Sequence, residues 1–528
     1  MTRGKDAVAV LVLLAATLLP GLGALRSPAN PAEDAAILMR YVRHIADGHG
    51  IVWNIGDPPA DGATDFLFTA LAAGLVRLGA GLEPAVRSLA FGAHVLAVLL
   101  VYAGIRRLHG SPIPVAFVSA LFLAWGPGFR YVEMYFGTTL FAALAALAWT
   151  LAYRLREEPG SAARSLAFAL ASLAAGLARP EGVFLTLFML AAVVFWAGPR
   201  RAWTAAAVFV AVFAVLGGAY FLWRWSTFGH PLPTPFYKKG GGVLHWGGLR
   251  DSIEGVARLC LPFLLAAPLA LRSRDAFRRL VFAAIPLGGF TLLWVLLSNE
   301  MNILHRFQFA LVPVVLLAWP DWVKGLGRDL RLPAEAEVPV AGRRAAVLLL
   351  AAVAGIALAA QLAVHRPRPG LRDGRYEVAR RLAPFAGRGH TLVTTEAGLL
   401  PLYSGWRSVD AWGLNDVEIA RHGISEALLD RERPALIVFH AGFSPVAPAP
   451  LGDDDWSRMV RTLRDYASRR GYTLAAAFGH TPFDTHYYLV RPDAPDAAGI
   501  TEAVRGADYA WYGNGQRSLN YALWGSPR

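Results

Sequence analysis

Long apolar runs recur along this chain and constrain its fold more than any other feature of the sequence. They span residues 7–25, 63–80, 87–105, 113–126, 137–153, 163–178, 183–197, 203–222, 256–271, 279–297, 303–319 and 345–364. A helix needs about 17–25 predominantly apolar residues to cross a membrane. Charged residues make up only 17% of the 528 residues, whereas soluble chains carry about 25%. The sequence therefore predicts a polytopic α-helical membrane protein.

The arginine-rich loops indicate which runs cross. If all of them cross, the arginine groups at 106–107, 200–201, 272–279 and 343–344 face outward. If the run at 63–80 instead lies along or re-enters the outer leaflet, all these groups become cytoplasmic, as the positive-inside rule requires. We therefore expect about 11 transmembrane helices, with residues 26–86 as the first outer loop. The first run is expected to remain as an uncleaved signal anchor.

The chain divides into two expected domains. Residues 1–364 form the membrane domain, and residues 365–528 form an extracytoplasmic, periplasmic α/β domain. The second region alternates β-like runs with helical stretches. The β-like runs are 390–396, 435–440, 472–478 and 486–491, and the helical stretches are 417–429 and 456–469.

Net charge and cysteine content exclude other classes of protein. The formal charge of +13 is explained by cytoplasmic loops and attraction to anionic membrane lipid, so no nucleic-acid partner is expected. Cys260 is the single cysteine, which excludes an intramolecular disulfide and a cysteine-based metal site.

Acidic residues in the first outer loop are candidates for chemistry. Glu33 and Asp34 follow the first apolar run, and Asp61 precedes the run at 63–80. A carboxylate near the lipid headgroups can act as a general base or as a ligand for Mg²⁺ or Mn²⁺. Simpler explanations remain open, because acids suit the first turn of a helix and Asp61 lies in a Gly- and Pro-rich turn.

Cationic and polar residues recur in the later outer loops. The candidates for binding a substrate phosphate are Arg179, Glu181, His230, Tyr237, Lys238, Lys239, His305 and Arg306. Lysine binds phosphate as a point charge, and ionisable groups so near hydrocarbon are usually paired or functional. A structural Arg179–Glu181 pair, a solvated cationic loop and a snorkelling Arg306 are the alternatives.

These two sets together suit the transfer of a sugar from a lipid phosphate. An acidic base activates the acceptor hydroxyl, and cations stabilise the departing phosphate. A phosphate needs no general acid to leave, since its second pKa is about 6.

Five segments, in this order, resemble the bacterial GT-C glycosyltransferases. They are EDAAILMRYVRHIADGHGIVWN, ARPEG, FGHPLPTPFYKK, NEMNILHRFQFALVPV and TEAGLLPLYSGWRSVDAWGLND. The similarity is greatest to the branch that includes the mycobacterial terminal β-(1→2)-arabinofuranosyltransferase. The resemblance implies that Asp34 is the general base beside Glu33, and that Lys238 or Lys239 and Arg306 border the donor phosphate.

The sequence departs from the family pattern at two places. Relatives commonly have a Gly-x-Glu-Thr turn where this chain has Gly137 and Thr138, with Glu133 four residues earlier. Asp61 stands where a Glu is more common. These departures leave open a role for Glu133 and the identity of the sugar.

The resemblance implies an enzyme of the bacterial cytoplasmic (inner) membrane. It would move a pentose such as arabinofuranose, or a hexose, from a polyprenyl-phosphate donor to a cell-envelope glycan or lipid acceptor, with inversion. A divalent cation at Glu33 and Asp34 is the one cofactor considered. The competing hypotheses are a transporter or flippase of lipid-linked or anionic solutes, and a non-catalytic scaffold of the same fold.

Overall fold

A computed structural model describes residues 2–239, 244–324, 373–441, 451–479, 485–509 and 519–520, together with 355 and 359. The helices before residue 325 are α1 (Thr2–Leu25), α2 (Glu33–Ala46), α3 (Phe66–Arg77), α4 (Leu82–His109), α5 (Ile113–Ala124), α6 (Gly128–Glu133), α7 (Thr138–Glu157), α8 (Ala162–Ala178), α9 (Gly182–Ala197), α10 (Pro199–Val212), α11 (Gly218–Phe228), α12 (Thr234–Lys239), α13 (Trp246–Leu264), α14 (Arg274–Leu293) and α15 (Leu311–Trp322). A π-helical turn, Phe213–Gly217, joins α10 to α11.

The membrane character of this part is confirmed. Among the described residues, six helical stretches are long and apolar enough to cross a membrane: Gly4–Leu25, Leu82–His109, Ile113–Glu133, Thr138–Glu157, Pro199–Phe228 and Arg274–Leu293. Four shorter apolar helices accompany them: Phe66–Arg77, Ala162–Ala178, Glu181–Ala197 and Leu311–Trp322. The chain is thus a multi-pass membrane protein, while the total of about 11 spans stays a prediction.

The apolar runs at 63–80 and 345–364 differ from the other runs. The run at 63–80 forms α3, whose 12 residues extend about 18 Å, well short of the ~30 Å hydrocarbon core. The run at 345–364 and the expected domain boundary at 364 lie outside the described residues.

The C-terminal part is the expected small α/β domain. Its helices are α16 (Gly374–Leu382), α17 (Leu399–Ser404), α18 (Val417–His422), α19 (Glu426–Glu432), α20 (Asp455–Arg469) and α21 (Ala497–Arg505). Its strands are β1 (Thr391–Thr394), β2 (Arg407–Asp410), β3 (Leu436–Ala441), β4 (Thr473–Gly479), β5 (Thr485–Val490) and β6 (Leu519–Asn520). The sheet order is β2-β1-β3-β5-β4-β6, parallel from β2 to β3 and antiparallel beyond.

Alternating apolar residues give this sheet a core on each face. Leu392 and Leu436 pack into one core with α16 and α21, while Val393 and Ile437 pack into another with α18, α19 and α20. Successive side chains of a strand point to opposite faces, so strands that are apolar throughout must be covered by helices on both sides.

Helix α2 connects the membrane domain to the C-terminal α/β domain, which we call the outer domain after its predicted location. Its apolar residues pack into the core of the membrane domain, including Ala35, Ala36 and Met39. On its other face the buried Arg40 donates hydrogen bonds to the carbonyl oxygens of Trp53 and Trp406, at 2.8 and 3.0 Å. The bond to Trp406 thereby links α2 to the C-terminal domain.

Candidate active site

A cleft of about 160 Å³ lies where the first turn of α2 faces α12 and the loop before α15. Its charged lining residues are Asp34, Asp65, Glu300, Arg179, Lys239 and Arg306. We refer to it as the Asp34 cleft. Three carboxylates and three cations share this small volume, so an anionic ligand bound there must compete with the carboxylates for the cations.

Asp34 is the lining carboxylate that α2 contributes to the cleft. It lies in the first turn of α2, where a negative charge is favoured by the helix dipole, and its side chain is 24% exposed and paired with Arg306. Burial by itself would raise the pKa of Asp34, but Arg306, Lys239 and Arg179 outweigh it and hold the pKa below its usual value. Asp34 is therefore ionised at neutral pH.

An unusual turn aims Arg306 at Asp34. Met301, Leu304 and His305 adopt left-handed backbone conformations, with φ of 60°, 54° and 56°. Such conformations cost about 1 kcal/mol or more for residues other than glycine. The hydroxyl of Tyr131 donates to the carbonyl oxygen of Leu304 at 2.7 Å and holds the turn. Strain kept in this way is typical of a functional position.

Aromatic rings support the two arginines of the cleft. The guanidinium of Arg306 lies 4.2 Å from the ring centre of Phe136, and that of Arg179 lies 5.0 Å from the ring centre of Phe307. Arg179 also donates from Nε to Glu181 at 2.6 Å, and its Nη1 lies 3.6 Å from Asp65. The predicted Arg179–Glu181 pair exists, and Arg179 faces the cleft as well.

The two adjacent lysines of α12 point in different directions. Lys239 lines the cleft, with its Nζ 3.9 Å from Glu300. Lys238 turns to the outer domain, where its Nζ lies 3.8 Å from the ring centre of Trp412 and 3.9 Å from Asp455. Burial lowers the pKa of Lys238. Of the two, only Lys239 is positioned to contact a ligand in the cleft.

Three other predicted residues hold the surrounding loops. His230 Nδ1 lies 2.6 Å from the carbonyl oxygen of Leu232, and the Tyr237 hydroxyl accepts from the amide of Leu232 at 3.4 Å. His305 packs beside Gly255 of α13, where an added Cβ would lie 3.0 Å from its Nδ1. These side chains are not among those that line the Asp34 cleft.

Asp61 lies outside the cleft. Its carboxylate is paired with Arg224 of α11, and both residues line a separate small cavity. Its carbonyl oxygen accepts a hydrogen bond from the amide of Thr234 at 3.0 Å. Asp61 thus fixes the start of α12 and so positions the lysines that follow.

Glu33 faces the outer domain and not the cleft. Its Oε1 accepts from the amides of Gly398 and Leu399 at 2.6 and 3.2 Å, and its Oε2 lies 3.4 Å from Arg375. Only glycine fits at 398, since a Cβ there would lie 2.1 Å from the Glu33 carbonyl oxygen. Burial raises the pKa of Glu33 to about 7, and the neighbouring carboxylate of Glu396 adds to the effect.

This arrangement does not fit the expected divalent cation at Glu33 and Asp34. Glu33 is bound to two amides and Arg375, while Asp34 is bound to Arg306. A hard cation such as Mg²⁺ needs several convergent oxygen ligands, and here the two carboxylates are directed to different partners. No step at Asp34 is therefore assigned to a metal ion.

Sequence reasoning missed Asp65 and Glu300 as lining residues. Asp65 immediately precedes α3, and burial raises its pKa, although Arg179 opposes the shift. The available signal was an acid at the edge of an apolar run, which also describes an ordinary helix start. Its pairing with Arg179 depends on the tertiary fold.

Solved structures similar to this one come from membrane glycosyltransferases. ArnT from Cupriavidus metallidurans in the apo state is 14% identical, with a TM-score of 0.58 over 92% of this chain and 98% of that one. The same protein bound to undecaprenyl phosphate is 14% identical, with a TM-score of 0.55 over 94% and 100%. This chain has the GT-C fold.

One further solved structure agrees with the GT-C fold, and one family model matches only part of the chain. The Archaeoglobus fulgidus oligosaccharyltransferase in complex with zinc and sulfate is 13% identical, with a TM-score of 0.50 over 93% of this chain and 73% of that one. Residues 363–500 match a domain of unknown function, DUF8728. No curated protein sequence matches this chain.

Proposed function

We propose that this protein is an inverting glycosyltransferase that uses a polyprenyl-phosphate sugar. It would move a pentose such as arabinofuranose, or a hexose, to a cell-envelope glycan or lipid acceptor at the outer face of the cytoplasmic membrane. The observation that carries the proposal is the Asp34 cleft, where an ionised carboxylate faces three cations beside membrane helices.

The cations provide a site for the donor phosphate. Arg306 is buried, Arg179 is partly buried, both contact aromatic rings, and Lys239 lines the same cleft. One guanidinium can donate two parallel hydrogen bonds to the oxygens of a phosphate, whereas lysine contributes a single charge on a flexible side chain. Because these cations are already in place, they also stabilise the phosphate as its negative charge grows in the transition state.

A lipid chain could reach the cleft from the side of α11 and α12. Trp225 near the end of α11 is 49% exposed, and Phe236 on α12 is 40% exposed, although both are large apolar residues. Pro235 and Lys239 of the same short helix line the cleft. ArnT, which shares the fold, has been crystallised with undecaprenyl phosphate, which supports a donor of this class.

Donor binding would convert Asp34 into an active base. In the absence of donor, Asp34 is paired with Arg306 and its pKa is lowered, so it is a weak base. The donor phosphate competes for the same guanidinium. When it takes Arg306, the carboxylate loses its counter-ion and its proton affinity rises.

Asp34 then accepts the proton of the acceptor hydroxyl. The acceptor oxygen bonds to the anomeric carbon as the bond from that carbon to the phosphate oxygen breaks. Polyprenyl phosphate leaves with both bonding electrons, held by the cations. Attack from the face opposite the phosphate inverts the anomeric centre. Such a base contributes about 10²–10⁴ in rate.

The acceptor would approach from the outer domain. Leu414 lines the cleft, and Trp412, two residues earlier in the chain, packs against Trp456 with ring centres 5.1 Å apart. Both rings are partly exposed, so they can contact a glycan. Trp406 is 1% exposed, which assigns it to the core of the domain.

Transfer in nanodiscs tests the proposal. Wild type, Asp34→Asn and the control Asp57→Asn are given radiolabelled polyprenyl-phosphate sugars and membrane-extracted acceptors. Asp57 is an acid of the same loop, but it pairs with Arg407 outside the cleft. We expect Asp34→Asn to bind donor but to transfer sugar at least 100-fold more slowly, which is the lower end of the range for loss of a general base. The control Asp57→Asn should transfer sugar at the wild-type rate.

Two results would overturn the proposal. Unchanged transfer by Asp34→Asn would show that Asp34 is not the base and would remove the observation on which the proposal rests. A wild type that binds none of the donors would favour a transporter or a scaffold.

His94 is a polar residue within a span, which could suggest transport. It is buried against Phe129, and its Nε2 lies 3.1 Å from the Ala124 carbonyl oxygen.

A further inference from the structure

The outer domain gathers Glu396, His440 and His486 at one edge of its sheet. His440 and His486 are directly paired across the antiparallel strands β3 and β5. Paired residues project their side chains to the same face. Glu396 lies two residues beyond the end of β1, which runs parallel to β3. β3 and β5 thus each supply one metal-binding side chain, and the segment that follows β1 supplies the third.

Their spacing is close to that of a metal site. Glu396 Oε1 lies 3.9 Å from His440 Nδ1 and 3.5 Å from His486 Nε2, and one ligand atom from each residue lies within 4.8 Å of the others. Ligands about 2.1 Å from a tetrahedral zinc ion are roughly 3.4 Å apart. Small rotations of the side chains would therefore complete the geometry.

The surroundings orient Glu396 and favour a cation. Arg375 binds Oε2 of Glu396 and leaves Oε1 directed at the imidazoles. The same guanidinium contacts Glu33 and Asp373, so three carboxylates surround a single arginine. An additional positive charge at Oε1 would offset this excess of negative charge. Outer-sphere partners that fix a ligating carboxylate are typical of metal sites.

We propose that Glu396, His440 and His486 bind a zinc ion. Two imidazoles and one carboxylate suit Zn²⁺, whereas Mg²⁺ and Ca²⁺ prefer oxygen ligands alone. The side chain of His440 is 27% exposed, whereas those of Glu396 and His486 are 7% and 0% exposed, so His440 is the ligand with the greatest exposure. Through Glu396 and Arg375, the ion would strengthen the contact of the outer domain with Glu33 of α2. The proposal does not depend on glycosyl transfer.

Metal binding by the full-length protein in detergent tests the site. The protein is stripped with a chelator and titrated with Zn²⁺ against a fluorescent zinc indicator, and with Co²⁺ by visible absorption. The test variant is His440→Phe, which keeps a ring stacked on His486, whose centre lies 4.7 Å away, but removes both nitrogens. The control is His390→Phe, because His390 pairs with Asp496 elsewhere in the same domain.

We expect the wild type and His390→Phe to bind one equivalent of Zn²⁺, with affinity at least tenfold lower in His440→Phe. Zinc should raise the melting temperature of the wild type but not that of His440→Phe. Should His440→Phe fail to fold, the Co²⁺ spectrum of the wild type decides: strong bands typical of tetrahedral cobalt support the site. Absence of Zn²⁺ or Co²⁺ binding by the wild type, or equal affinity in His440→Phe, would overturn the proposal.

Discussion

Two neighbouring carboxylates, Glu33 and Asp34, belong to regions with different charge balance. Asp34 lies in the Asp34 cleft, where acids and cations are equal in number and where Arg306, Lys239 and Arg179 hold its pKa low. Glu33 lies in what we call the Arg375 cluster, formed by Arg375 with Glu33, Asp373 and Glu396, where burial and excess negative charge raise its pKa. One helical turn thus carries a residue suited to chemistry and a residue suited to joining two domains.

Removing the central cation of the Arg375 cluster should have the largest effect on stability. Arg375→Met leaves buried carboxylates without their counter-ion, which costs about 3–5 kcal/mol. We expect a large fall in the melting temperature, partly restored in Arg375→Met/Glu33→Gln. Arg388→Met is the control, because Arg388 forms an ion pair but is 52% exposed. Equal stability of the two single variants would show that the cluster is not a structural junction.

Conservative replacement of Arg306 tests the cleft. Lysine keeps the charge but loses the paired donors that bind phosphate. We expect Arg306→Lys to weaken donor binding about 10–100-fold, as for loss of a charged hydrogen bond, with little change in melting temperature. The control is Arg224→Lys, because Arg224 pairs with Asp61 outside the cleft. Donor affinity that falls equally in both variants would argue against a phosphate site at Arg306.

The pH dependence of stability should distinguish Glu33 from its neighbour. The raised pKa of Glu33, about 7 against an ordinary 4.5, favours its protonated form in the folded protein. The contribution of Glu33 to the stability of the folded protein is therefore complete below pH 4.5 and is lost as the pH rises through 7.

Glu33→Gln should remove this loss, because glutamine is neutral at every pH. Relative to the variant, the wild type should lose about 1–3 kcal/mol between pH 4.5 and pH 8. Thermal unfolding across this range measures the difference, and Asp34→Asn is the matched variant. Parallel curves for wild type and Glu33→Gln would contradict the raised pKa.

The smallest expected effect separates the two lysines of α12. Lys239→Ala removes a cation that lines the cleft, and we expect about a tenfold loss of donor affinity. Lys238→Ala removes a contact with Trp412, worth about 0.5–1 kcal/mol, and should leave donor affinity within about threefold. Binding of a labelled donor to both variants checks the order. A greater loss in Lys238→Ala would place the phosphate nearer the outer domain.

Much of the fold was predictable because hydrophobic patterns are local. Every apolar run within the described residues contains a helix, and the four predicted strands correspond to β1, β3, β4 and β5. β2 was missed because its sequence, RSVD, lacks an apolar pattern. The predicted helix at 417–429 is two helices, separated at Gly423, whose φ is 75°.

The sequence indicated several residues of the site, but not the ion-pair and hydrogen-bond partners of each residue. The placement of Asp34, Arg179, Lys239 and Arg306 in one cleft agrees with the residues selected from the sequence, although their roles stay predictions. Asp61 pairs with a residue 163 positions away, and Glu33 with an amide 365 positions away. Such partners are determined by the packing of distant segments, which a sequence pattern does not contain.

The central claim is that adjacent carboxylates perform different tasks, and one paired experiment tests it directly. Asp34→Asn and Glu33→Gln are prepared in parallel in nanodiscs, and sugar transfer, donor binding and the melting temperature are measured for each. We predict that Asp34→Asn loses transfer while retaining its melting temperature and donor binding. Glu33→Gln should retain transfer and lose the pH dependence of its stability. Loss of transfer in Glu33→Gln with full transfer in Asp34→Asn would contradict the account.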